Sequence, residues 1–72
     1  MQTVKLFYRV DRRRINLIRF VFEAYEGLAT VTTLDAPSGT IVLHVAPGCE
    51  SIASEIMEDL SKDFLIERRP WA

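Results

Sequence analysis

At 72 residues the chain has room for one small domain, which buries only about 60% of the surface its unfolded form exposes and stays marginally stable unless a partner helps. Apolar content of 49% with 26% charged residues excludes a disordered segment, and a formal net charge of −1 with a pI near 5.7 gives no overall pull toward nucleic acid or anionic membrane. A single cysteine, Cys49, excludes an internal disulfide; with no signal-peptide pattern in MQTVKLFYRV and no apolar run of about 18 residues, a cytoplasmic chain off the membrane is expected.

From Thr3 to Val10, Val4, Leu6, Tyr8 and Val10 alternate with Thr3, Lys5, Phe7 and Arg9, the period of a strand. Asp11 then caps a helix expected to run to Glu26, with Gly27 in place for a left-handed C-terminal cap. Residues 28–46 read as a hairpin: LATVTTLD and TIVLHVA are rich in β-branched residues, and APSG between them supplies turn chemistry. Past Pro47 and Gly48, the residues Cys49, Ile52, Ala53, Ile56, Met57, Leu60 and Phe64 recur at helical spacing on one face. LIERRP is expected as a short last strand closed by Pro70, with Trp71 after it.

Strand, helix, strand, strand, helix, strand is a pair of split βαβ units, and at this length it resembles the ferredoxin-like sandwich. The class expected is therefore α+β, a single domain over residues 1–72, with antiparallel sheet order 4-1-3-2 and both helices on one face. That architecture hosts regulatory, RNA-binding and catalytic domains alike, so function rests on particular residues. YEGLATVTTLD followed by GTIVLHVAPG resembles the middle of a small family of uncharacterised bacterial stand-alone proteins carried under a domain-of-unknown-function label, across nearly the whole chain. The layout is also similar to ACT domains, amino-acid-sensing regulatory modules whose first strand ends in an Asp-Arg-Pro-Gly-like turn. Asp11 and Arg12 match that opening, while Arg13 and Arg14 stand where the proline and glycine would be.

The two helices differ in a way that bears on assembly. The second keeps its apolar residues in one sector, whereas on the first Arg12, Asn16, Arg19, Glu23 and Glu26 form a narrow polar stripe and apolar residues take more than half the circumference. One sheet does not cover so wide a face, so some of Ile15, Phe20 and Phe22 are expected to form a contact surface unless Trp71 folds over them. In the 4-1-3-2 order strands two and four are the edges. Strand four carries Glu67, Arg68, Arg69 and Pro70, while LATVTTL carries no charge. A homodimer is expected through strand two and helix one, with Ile15, Phe20, Phe22, Leu28, Thr30, Thr32 and Leu34 at the interface. Thr32→Pro is the substitution expected to turn that dimer into a monomer or an unfolded chain.

Arg12, Arg13 and Arg14 fall where a positive helix end disfavours cations, by about 0.3–1 kcal/mol each. They are either solvated and paired with Glu23, Glu26 or a partner's acids, or they hold a small anionic ligand, a carboxylate or phosphate, with Arg13 and Arg14 as the main contacts. His44 has only Cys49 as a soft neighbour and reads as a residue of the open sheet face; Cys49 itself reads as core, and Glu55, Glu58, Asp59 and Asp63 as the solvated side of helix two. No metal, cofactor or catalytic residue is expected. The function expected is a non-catalytic regulatory or partner-binding module. An RNA-binding module is the alternative for which Phe7 offers a stacking surface on strand one, though TIVLHVA offers none on strand three. An enzyme resembling the acylphosphatases has its arginines in the right turn but lacks the glycines beside them.

Overall fold

A computed structural model describes residues 3–71 and orders them as β1 (Val4–Val10), one 3-10 turn (Arg12–Arg14), α1 (Ile15–Glu23), β2 (Ala29–Asp35), β3 (Thr40–Val45), α2 (Glu50–Leu60) and β4 (Ile66–Arg69). All strand pairs are antiparallel, and the sheet order β2-β3-β1-β4 is the expected 4-1-3-2 read from its other edge. Leu6, Tyr8 and Val10 of β1 and Ile41, Leu43 and Val45 of β3 share one face. They form a single core with Ile15, Ile18 and Phe22 of α1 and Ala53 and Met57 of α2, so both helices cover the same side of the sheet. The α+β, ferredoxin-like sandwich follows from that arrangement.

Both helices are shorter than their periodicity implies, and hydrogen bonding at their ends shows why. The apolar pattern predicts helix one from Asp11 to Glu26. Instead Arg14 N–H donates to Asp11 O at 2.8 Å, an i to i+3 bond that makes residues 12–14 a 3-10 turn ahead of α1. At the other end Ala24 N–H is shared between the carbonyls of Phe20 and Val21, and Tyr25 N–H goes to Phe22 O, so the coil tightens before Gly27 turns it at φ +75°. Leu28 must enter the core directly afterwards, which leaves no room for a last α turn. In α2 the α pattern stops at Leu60: Lys62 and Asp63 N–H donate to Asp59 and Leu60 O, and Phe64 packs against the core from the following turn. Ile52, expected in the apolar stripe, is half exposed, because it lies about 120° from the Ala53–Met57 direction.

The β2–β3 hairpin locks onto the start of the arginine turn. Val10 N–H donates to Gly39 O at 2.8 Å, and Gly39 sits at φ +77° with its α-carbon so close that a Cβ would collide with the Val10 carbonyl oxygen. Only glycine satisfies both constraints. Among the described residues no helix is long and apolar enough to cross a membrane.

Candidate functional site

Hydrogen-bond phase decides what each sheet edge offers. Ala46 N–H donates to Leu28 O at 2.9 Å, and this pair continues the register Ala29↔Val45, Thr30↔His44, Val31↔Leu43, Thr32↔Val42. In an antiparallel ladder backbone groups point to alternate sides. Leu28, Thr30 and Thr32 therefore direct theirs at β3, and Ala29, Val31 and Thr33 direct theirs outward from the free edge. A break in register at Leu34, between Thr33 and Asp35, ends the regular run. Of the two outcomes expected of Thr32→Pro, this phase favours loss of fold over a folded monomer: the Thr32 N–H belongs to the hairpin, so a proline there removes a bond inside the domain.

The opposite edge has a phase of its own. Asp11 N–H donates to Leu65 O at 3.1 Å, in phase with Arg9↔Glu67 and Phe7↔Arg69. Ile66, Arg68 and Pro70 then face outward. The proline has no N–H to offer, and Arg68 lays its guanidinium 5.7 Å from the centre of the Tyr8 ring.

Helix α1 lies over the β2 side of the sheet, as Arg19 Nη2 donating to Thr33 Oγ1 at 3.3 Å shows. Ile15, Phe22 and Leu28 are buried in the core, 8%, 1% and 7% exposed, and this corrects their place in the expected interface. Phe20 is 69% exposed and Leu17 41%. At about 100° per residue, Phe20 points nearly opposite to the core direction set by Ile15, Ile18 and Phe22, away from the sheet. Pairing of β2 edges does not cover it. Trp71 is itself exposed and follows β4, at the far edge, so it does not cover Phe20 either. The side of α1 that does border the β2 edge is polar: Arg19 and Glu23 line a crevice of about 130 Å³ with Phe22, Ala29, Thr30 and Val31. Of the residues expected at the interface, Phe20, Thr30, Thr32 and Leu34 remain exposed, and only the last three lie on β2.

In the arginine turn an internal carboxylate stands in the place open to an anion. Asp11 Oδ1 accepts from Arg13 N–H at 3.0 Å and from Arg13 Nε at 3.2 Å, and Oδ2 accepts from Arg13 Nη2 at 3.1 Å. Hydrogen bonds from the Arg13 side chain, and then from its backbone, hold the Asp11 carboxyl below its usual range, and the same pair raises Arg13. Neither Glu23 nor Glu26 is the partner. Arg12 and Arg14 are exposed and make no ion pair among the described residues. The three arginines thus do not converge.

On the open face Phe7 is half-buried beside Val42 and Arg69, and His44 lies half-buried between Lys5 and Thr30. Cys49 is half-buried against the core, and Glu55, Glu58, Asp59 and Asp63 are exposed. A cleft of about 280 Å³ that sequence reasoning missed runs between α2 and β4, with Tyr8 and Met57 beneath and Arg68 and Glu58 at its rim. Strand alternation puts Tyr8 inward, but the register that sets Arg68 across from it is not legible in the sequence.

No curated protein and no solved structure matches the chain. A family model does, over residues 8–63: a stretch running from Tyr8 through the arginine turn, α1, the whole hairpin and α2, and ending before β4. The uncharged edge and the helix beside it lie inside that stretch, and by it the chain belongs to the family described as Domain of unknown function (DUF4911).

Proposed function

We propose that the chain is a non-catalytic, cytoplasmic binding module that works as a homodimer formed along β2. The observation that carries this reading is the unpaired β2 edge. Three outward N–H groups and three outward carbonyls, on Ala29, Val31 and Thr33, lie in a stretch with no charge from Leu28 to Leu34. Such an edge is a template for another strand, and a second copy of the same edge supplies one of matching phase. The small core supports the reading too, because a domain of this length gains from burial that a partner adds. RNA binding finds less support: beside Phe7 in the ladder the next central strand carries Val42, which offers no ring for stacking. Light scattering on the purified chain tests the proposal. Twice the 8.3 kDa chain mass is expected at micromolar concentration, and a monomer mass throughout that range overturns it.

A further inference from the structure

Resting on the β2 homodimer proposed above, we infer its register: the two-fold axis passes through Val31, and Arg19 of each protomer meets the partner's Glu23 across the seam.

Two identical antiparallel strands related by a two-fold axis pair about one residue, and outward groups must meet outward groups. An axis at Val31 pairs Val31 with itself and Ala29 with the partner's Thr33, which satisfies all six outward groups of each strand in six hydrogen bonds. An axis at Thr32 pairs Val31 with the partner's Thr33 twice, for four bonds, and sets Ala29 against Asp35, beyond the irregularity at Leu34. An axis at Thr30 also gives four. Backbone pairing therefore favours Val31.

Charge placement on the helix side agrees independently. Arg19 reaches Thr33, and Glu23 lines the crevice beside Ala29, Thr30 and Val31, so α1 runs antiparallel to β2 with Arg19 above one end and Glu23 toward the other. A two-fold axis at Val31 exchanges the Thr33 end with the partner's Ala29 end. Each arginine then lies opposite an acid. Arg19 and Glu23 form no ion pair with each other, and both remain available for a pair made in trans. On the open face the same axis brings Thr30 opposite the partner's Thr32, twice.

The open-face pairs supply the test, because Thr30 and Thr32 are exposed in the single chain and charge there does not disturb its core. In the double variant Thr30→Lys/Thr32→Glu every cross-strand pair is of opposite charge if the axis is at Val31, whereas an axis at Thr32 sets glutamate against glutamate and one at Thr30 sets lysine against lysine. In Thr30→Lys/Thr32→Lys the Val31 axis opposes two like pairs. Sedimentation equilibrium at low ionic strength, with circular dichroism as the check on folding, is expected to show a dimer for the wild type and the Lys/Glu variant. The Lys/Lys variant is expected to dissociate with a Kd about tenfold higher or more. A Lys/Glu variant that dissociates, or a Lys/Lys variant as tight as it, overturns the register while the wild-type dimer stands. A wild type that never dimerises overturns the homodimer itself. Arg19→Glu is expected to weaken the dimer and Arg19→Glu/Glu23→Arg to restore it; a double variant as weak as the single one overturns the trans ion pair.

Discussion

At the β4 edge the outward positions are Ile66, Arg68 and Pro70; at the β2 edge they are Ala29, Val31 and Thr33. The first set blocks strand addition twice over, by a missing N–H and by a guanidinium folded onto Tyr8, with the Arg9–Glu67 ion pair of 3.0 Å adding charge on the open face. The second set blocks nothing. A protein with two open edges builds open-ended arrays, and one with a single open edge closes at two copies. What an edge of so small a sheet offers a further strand is set by which half of a ladder's backbone groups it leaves outward, and by what side chains stand there.

A proline scan of β2 is expected to have the largest effect. Thr32→Pro removes a hairpin bond and leaves its carbonyl partner unpaired, at an expected cost of about 1–3 kcal/mol. The upper figure is a quarter to three quarters of the stability of a domain this size, about 4–11 kcal/mol at 0.05–0.15 kcal/mol per residue. Thr33→Pro removes an outward N–H, as Pro70 lacks one at the other edge, together with the hydroxyl that accepts from Arg19, but no bond of the ladder, and is expected to leave a folded monomer. Circular dichroism and mass measurement separate the two; equal loss of fold in both would refute the assigned phase.

Dilution acts on the β2 side alone. If folded chains associate through it, a hundredfold dilution lowers apparent stability by about 2.7 kcal/mol of dimer, and the melting temperature falls by several degrees. A melting temperature constant over that range refutes obligate association.

Substitution can open the guarded β4 edge. The triple variant Glu67→Thr, Arg68→Thr, Pro70→Thr removes charge and restores the outward N–H, and is expected to grow beyond a dimer with concentration. Loss of the Arg68–Tyr8 contact costs about 0.5–1 kcal/mol and loss of the half-exposed Arg9–Glu67 pair up to about 1 kcal/mol more, so the variant should remain folded. A mass fixed at two chains would show that the β4 guards do not limit assembly.

Much of the fold is legible in the residues themselves. Alternation in β1, the APSG turn and Gly27 identify the elements, and the order of elements identifies the sheet; the contrast of charge between LATVTTL and LIERRP singles out the edges. The phase of the ladder is not legible, because it depends on which residue starts pairing across a turn. Alternation alone therefore leaves Thr32 free to face outward, when it faces β3. The direction of α1 is not legible either. An apolar arc wider than a sheet covers says that something remains exposed, but the contact with Thr33 turns the polar stripe toward the edge and leaves Phe20 on the outside. The arginine run reads equally as solvated or anion-binding, and Asp11, legible only as a helix cap, is what occupies Arg13.

The smallest effect expected comes from that pair and bears on the β4 side. Asp11 N–H is bonded to Leu65 O, the residue leading into β4, while its carboxylate holds Arg13. Its pKa in the folded chain lies below the ordinary value of 3.8, chiefly through the Arg13 side chain. The stability it contributes is therefore fully present above that value and is lost as pH falls through the lower folded one. Asp11→Asn keeps an oxygen to accept from Arg13 N–H but has no charge to titrate. At neutral pH the variant is expected to be slightly less stable than the wild type, and the two should converge as acid protonates Asp11. Because the link runs to β4, hydrogen-exchange protection at Glu67 and Arg69, whose N–H groups face β1, should fall with acid more in the wild type than in the variant, with β2 and β3 amides following global stability. Equal acid sensitivity of those two amides in both proteins would show that the Asp11–Arg13 pair is a surface contact with no hold on the guarded edge.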